Sequence, residues 1–380
     1  MSNNNQMKIL PFFLCIILLL SACSEKNVIP LGHEITLESI SLGEERVMSI
    51  YLPEGYEQSI QKYPVLYVLD GEAHFYHASG AVNYLSRNGI IPEMIVVALI
   101  NIDRNRDFSP IHVDNIPTSG GAEKFLAFIT DELMPHINKI YRTSVYDVLV
   151  GHSFGGVFAT YALLEKPTLF DAYISISPFL QFADNHMVME TKKKLKPLQE
   201  PVAFFMTVGS EPAYLDPLEK FYDLLMRDVD PNLDFGYEIY NSENHMSNPY
   251  ISLYKGLRHI FRDWMISNET IEEGLEAIET YYENISAKYG FKVIPPENIL
   301  NNLGYGYMQN NDIENAIVIF KANTKYYPDS PNVYDSLGEA FETNGQLDLA
   351  KKNYKKAYDL AVKQDSPFSG IFQGNFERMK

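Results

Sequence analysis

Gly151-His152-Ser153-Phe154-Gly155 sets a serine between two glycines, each two residues away, at a point where the chain changes character. Tyr146 to Gly151 is a short run, apolar but for Asp147, and Phe154 to Glu165 has the length and composition of a helix. A serine on a sharp strand-to-helix turn is the arrangement of a nucleophile elbow: its backbone is strained, and a side chain two residues before or after it would strike neighbouring backbone. The helix that follows aims its amino end at the place where an anion would develop. The chemistry to expect is acyl transfer through Ser153.

A serine hydroxyl attacks only when a base removes its proton. On an elbow of this kind the chain order is serine, acid, histidine, with the histidine in a loop after the last strand. Of the nine histidines, His245 in "YNSENHMSNPY" holds that place, directly after the strand-like "FGYEIY". The acid belongs to the loop after the preceding strand, where "PVAFFMTVGSEPAYLDP" offers Glu211 and Asp216. Glu211 is preferred, because Asp216 also suits a helix start, where acids are favoured. Either carboxylate could hold the imidazole in the required tautomer. Two oxyanion donors are needed: the amide of Phe154 and, in "VLDGEAHF", the amide of Glu72 after Gly71. Arg104 and Arg106 follow the strand-like "EMIVVALIN"; they could bind an anionic group, or Arg106 could clamp its own loop through Asp107.

These groups require a scaffold. "EITLESISL" and "RVMSIYLP" alternate as half-buried antiparallel strands do, whereas "YPVLYVLD", "EMIVVALI", "YDVLVG", "DAYISISP" and "PVAFFMTVG" are short apolar runs of the kind found in parallel sheets. Helical segments are predicted at 77–86, 122–141, 154–165, 187–195, 216–226 and 249–265, long enough for right-handed crossovers. The pattern predicts an α/β fold, a doubly wound and mostly parallel sheet, over 33–267, with ligands at the carboxyl ends of the strands.

Beyond Asn268 only helical signals remain, and the chain repeats itself at a shift of 34 residues: Leu303 falls on Leu337, Gly304 on Gly338, Tyr307 on Phe341, Ala316 on Ala350 and Phe320 on Tyr354. The pattern resembles the tetratricopeptide repeat, which predicts a C-terminal all-α domain of two repeats over 297–363 and a tail at 364–380. Two repeats cannot close a core by themselves. Ile271, Leu275, Ile278, Tyr282, Ile285 and Tyr289 recur at helical spacing, so a bridging helix over 268–289 is expected to cover the first repeat.

At the N-terminus, Lys8, a short apolar run and Leu20-Ser21-Ala22-Cys23 form a signal-peptide pattern ending in a sequence that resembles the bacterial lipobox. The expectation is a leader at 1–22, lipidation of Cys23, a linker at 23–32 and a location in the cell envelope. The other cysteine, Cys15, would leave with the leader, so the folded part has neither a disulfide nor a thiolate metal site. A net charge of −18 with no basic run argues against a nucleic-acid partner.

Taken in order, "YPVLYVLDGEAHF", "RNRDFSP", "VGHSFGG", "TVGSEP" and "NHMS" resemble the putative-esterase group of α/β-hydrolases. That group includes esterase D, feruloyl esterases, mycolyltransferases and, most similar in these motifs, the siderophore esterases. The resemblance covers about 33–267. It implies hydrolysis of a small-molecule or glycan-linked carboxylic ester, no metal or cofactor, an open site, and a glutamate as an accepted acid. It also implies that the amide after the glycine of "LDG", that of Glu72, is an oxyanion donor. His74 and Phe75 stand where siderophore esterases carry an aromatic residue soon after "DG", which makes them and Arg106 candidates for substrate binding. Siderophore esterases are expected to lack the helical tail, whose repeats could recruit a protein or peptide. The other readings are a feruloyl or acetyl polysaccharide esterase and a non-catalytic scaffold.

Overall fold

The eight strand signals become one sheet. In the computed structural model the strands are β1 (His33–Ser39), β2 (Glu44–Tyr51), β3 (Tyr63–Val68), β4 (Ile95–Leu99), β5 (Thr143–His152), β6 (Ala172–Ile176), β7 (Val202–Gly209) and β8 (Leu233–Tyr240), in the spatial order β1-β2-β4-β3-β5-β6-β7-β8. Strand β2 runs antiparallel to both neighbours, and β4 to β8 pair in parallel with β3 among them. The structure describes residues 31–194, 197–227 and 230–379; the leader, Cys23 and most of the linker lie outside them.

The parallel strands are apolar at nearly every position because helices cover both faces. All residues of β3, β4, β6 and β7 are buried. The helix behind the elbow spans Phe154–Glu165, as its apolar composition predicts, and is buried from Phe154 to Leu164. Other segments differ at their ends. The helix after β3 starts earlier than its periodicity indicated, at Gly71, and one after β7 starts at Pro212. A short helix, Arg104–Phe108, was not expected; Asp103 caps it by accepting from the Arg106 amide at 3.0 Å.

In the C-terminal part four helices, Glu297–Gln309, Ile313–Tyr326, Pro331–Thr343 and Leu347–Lys363, form the two repeats. The aligned glycines have a physical cause: a Cβ on Gly304 would lie 2.5 Å from the Phe320 ring, and one on Gly338 2.8 Å from Tyr354. The bridge is not one helix. It breaks at Gly274, whose φ of 100° ends Asn268–Glu272 before Leu275–Tyr289 begins. Ser369–Arg378 is a helix that buries Phe372 and stacks Phe376 on Tyr358, covering the open face of the second repeat.

Gly32–Lys380 form one compact unit. Tyr289 and Phe291, at the end of the bridge, pack with Tyr146, Phe261 and Trp264, and the Tyr289 hydroxyl donates to the Ile260 carbonyl at 3.1 Å. Tyr146 lies near the start of β5 and Ser153 just beyond its end. The repeats are therefore joined to the sheet at the pole opposite the elbow. Strand β1 runs in the same sense as β4, with His33 level through β2 with Val97 in the middle of that strand, and the His33 ring meets the hydroxyl of Tyr141, just before β5, at 2.8 Å.

Candidate active site

Ser153 takes φ 58° and ψ −111°, a region an L-residue occupies only under constraint. Three backbone bonds hold it. Its amide donates to the Ile176 carbonyl at 2.8 Å, and its carbonyl accepts from Val157 and Phe179, both at 3.1 Å. Gly151 is obligatory, since a Cβ there would sit 2.1 Å from the Gly155 carbonyl oxygen. Phe154 is the first residue of the helix, so its amide has no acceptor within the helix.

The loops after β7 and β8 bring an acid to a base. His245 Nδ1 lies 2.5 Å from Glu211 Oε2. The other oxygen of Glu211 accepts from the Ser177 hydroxyl at 2.6 Å and from the Gly209 amide at 3.0 Å. Glu211 is nearly buried, at 8% exposure. Asp216 points away on the next helix, paired with Lys220 at 2.6 Å in solvent. Of the two carboxylates the sequence left open, Glu211 meets the imidazole.

The first turn of the Gly71–Arg87 helix forms the other wall. Asp70, not Gly71, takes the left-handed conformation, with φ 54° and ψ 49°. Gly71 is needed for a different reason: a Cβ would fall 2.8 Å from the Ala98 carbonyl carbon of β4. The Asp70 carboxylate is gripped by Arg104, with Nε to Oδ1 at 2.6 Å and Nη2 to Oδ2 at 3.0 Å, and by the Asn101 side-chain amide at 2.6 Å. Arg104 also donates to the His152 carbonyl at 3.2 Å, tying the turn that carries Glu72 to the elbow. The Glu72 amide, second in its helix, has no intrahelical acceptor.

Three candidates for substrate contact lie elsewhere. Arg106 is bound to Glu44 and to Asp107, with Nε to Oδ1 of Asp107 at 2.7 Å, and Arg46 joins the same cluster through Asp107 at 2.8 Å. Its charge is satisfied inside the loop clamp and is not offered to a ligand. Phe75 is buried beneath its helix, its ring against Gly32. His74 faces inward behind the elbow, 2.9 Å from His77 through ring nitrogens, beside a small cavity also lined by His152 and Leu253. Burial first, and then the neighbouring rings, push the pKa of His77 down to about 4 and that of His152 to about 3. Both are neutral near neutrality. Among the described residues no three such groups are placed to share a metal ion.

Two site residues were not legible in the sequence. Tyr214 packs its ring 5.1 Å from that of His245, and its pKa is raised, mainly by burial, with the nearby Ser153 side chain acting in the opposite sense. His152 packs on His245 at 4.5 Å, so the imidazole has two ring neighbours. A lone tyrosine three residues after an acid carries no pattern that could have singled it out.

Residues 39–210 match the "Putative esterase" family model, and 331–361 match a tetratricopeptide repeat. A solved IroE-like serine hydrolase from Shewanella oneidensis is 32% identical with a TM-score of 0.69, and the match covers 78% of this chain and 99% of that one. The chain belongs to the putative-esterase family. Membership places it among the carboxylic ester hydrolases of the α/β-hydrolase fold. Ferri-bacillibactin esterase BesA of Bacillus subtilis is 34% identical over 36% of this chain and 57% of its own length, so the match spans little more than half of that enzyme. A siderophore triacetylfusarinine C esterase of Aspergillus fumigatus is 27% identical over 53% of this chain and 82% of its own. The Shewanella match covers a larger share of this putative esterase than 33–267 can supply. Resemblance to that relative therefore runs past residue 267 into the C-terminal helices.

Proposed function

We propose that this chain hydrolyses carboxylic esters by a Ser-His-Glu triad. Ser153 Oγ bonds to the ester carbonyl carbon as its proton passes to His245 Nε2. The amides of Phe154 and Glu72 hold the resulting oxyanion. The tetrahedral intermediate collapses, the proton goes from His245 to the departing alcohol, and a water then repeats the sequence on the acyl-serine to release the acid. Glu211 accepts from Nδ1 and stabilises the imidazolium that forms at each transfer. The observation that carries this reading is the 2.5 Å approach of Glu211 to His245, with the strained Ser153 turn beside it.

For the substrate we propose a siderophore ester, supported by the names of the two curated relatives; feruloyl or acetyl groups on polysaccharide are the alternative. The test is turnover of wild type and Ser153→Ala on one panel: a catecholate trilactone, a feruloyl ester, acetylated xylan and p-nitrophenyl acetate. Ser153→Ala is expected to abolish hydrolysis of every member while melting within a few degrees of wild type. A folded variant that keeps more than a trace of turnover removes Ser153 from the mechanism, and the preferred member of the panel assigns the ester.

We further propose that Cys23 is lipidated, anchoring the protein in the bacterial cell envelope, and that the repeats bind a protein or peptide. Cys23→Ser should move the protein out of the membrane fraction or leave its precursor unprocessed; unchanged fractionation and processing would rule out this anchor.

A further inference from the structure

Behind Glu211 the hydrogen bonds continue into the core. The Ser177 hydroxyl lies 2.6 Å from Glu211 Oε1, Asn248 Nδ2 lies 2.7 Å from Ser177 Oγ, the Ser252 hydroxyl 2.6 Å from Asn248 Oδ1, and the Thr207 hydroxyl 2.7 Å from Ser252 Oγ. Ser177, Asn248, Ser252 and Thr207 are each wholly buried, where polar groups are costly unless paired.

An ionised carboxylate dictates the direction of every bond in this row. It has only acceptor sites, so Ser177 must spend its one proton on it. The Ser177 oxygen can then only accept, which turns the NH2 of Asn248 toward it and the carbonyl of Asn248 away. That carbonyl requires a donor, so Ser252 gives its proton to Asn248 and takes one from Thr207. All the dipoles point at Glu211, and bonds in such a row polarise one another. The row also joins the loops that carry the triad. Thr207 is on β7, two residues before the Gly209 amide that also donates to Glu211. Asn248 opens the helix Asn248–Ile260 only three residues after His245. Ser177 follows β6 with φ 39°, a strained backbone that its surroundings must impose.

We infer that Ser177 and Asn248 are positioning residues for the hydrolysis, holding Glu211 as an oriented anion against His245, with Ser252 and Thr207 fixing the polarity of the row. This rests on Glu211 being the triad acid. The row acts on the transition state, where His245 becomes charged, and touches no substrate, so its loss should appear in kcat and not in KM.

The experiment is a double-mutant cycle on the full chain with p-nitrophenyl acetate, following kcat, KM and the melting midpoint. Ser177→Ala and Thr207→Val are each made alone and in a Glu211→Gln background. In the wild-type background Ser177→Ala is expected to lower kcat about 5- to 50-fold, the worth of one bond to a charged group, with KM changed less than about twofold. Thr207→Val, which keeps the buried shape, should lower kcat less and in the same sense. In the Glu211→Gln background both effects should shrink to about twofold or less, because there is no anion left to orient. Equal losses in both backgrounds, or no loss in either, would overturn the inference. If Ser177→Ala does not fold, Thr207→Val decides by the same comparison. Should Glu211→Gln by itself keep wild-type turnover, the triad reading fails, and that result is distinct from an inert Ser177 beside a crippled Glu211→Gln.

Discussion

Glu211 and Asp216 are five positions apart and chemically alike, yet their surroundings give them different work. Glu211 is buried and accepts from Ser177, Gly209 and His245, whereas Asp216 stands in water beside Lys220. Exposed pairs of that kind contribute little. Glu211→Gln, which preserves size and removes charge, is therefore expected to reduce kcat by about two to four orders of magnitude. Asp216→Asn should change kcat less than about twofold and shift melting only slightly. Steady-state kinetics on both variants decide the matter; a collapse in Asp216→Asn with Glu211→Gln intact would reverse the assignment. A similar division separates the two arginines. Arg104 braces the turn that presents Glu72, while Arg106 closes a cluster with Glu44 and Asp107.

Elements explain why the helical part and the site are separable. From Val145, which Gly290 of the bridge approaches, to Ser153 is eight residues of β5 and its turn, roughly 26 Å at the rise of a strand. No triad side chain comes from beyond residue 267. A chain stopped after Ser267 should cleave p-nitrophenyl acetate at close to the full rate. It should also be less soluble, since Tyr146, Phe261 and Trp264 lose the cover of Tyr289 and Phe291. Turnover and sedimentation of that truncation test both halves; a soluble truncation without small-ester activity would mean that the helices complete the site.

Buried titratable groups of opposite sense shape the stability of the whole molecule. Asp147, at the start of the core segment of β5, is pushed up to about 8 by burial and then by Asp171, itself raised to about 6. Between the ordinary value near 4 and about 8, the folded chain keeps a proton on Asp147 that the unfolded chain has released, so stability declines as pH rises across that window. His152 and His77, held at about 3 and about 4, act the other way: between those values and 6.5 the unfolded chain binds protons that the folded chain refuses, and stability declines as pH falls below 6.5. Above 6.5 only the Asp147 slope of these remains. Urea unfolding should show a midpoint that falls from pH 6.5 to 8 in wild type and stays level in Asp147→Asn, which keeps the shape of the protonated acid. Identical slopes in the two proteins would sink this account.

The amino-acid sequence alone determined whatever depends on local order. Apolar runs and apolar–polar alternation marked the eight strands and Gly151 and Gly155 marked the elbow, as requirements of the backbone near those residues, and the recurrence of Gly304 and Gly338 marked the paired helices, because the Phe320 and Tyr354 rings that need them are close by in the chain. Helix starts such as Gly71 and Pro212, the break at Gly274 and the Ser369–Arg378 helix were less legible, since packing partners distant in the chain decide them. The site divided along the same line. Ser153 and His245 were readable from motif and chain order. The contact of Glu211 with His245, the inward turn of His74 and Phe75, the rings of Tyr214 and His152 around the imidazole, and the row from Thr207 to Ser177 depend on which strands lie side by side. Those contacts join residues as far as 93 positions apart, such as His152 and His245, and no local pattern constrains so distant a pair. Only the closing of β5, β6, β7 and β8 into adjacent places set them face to face.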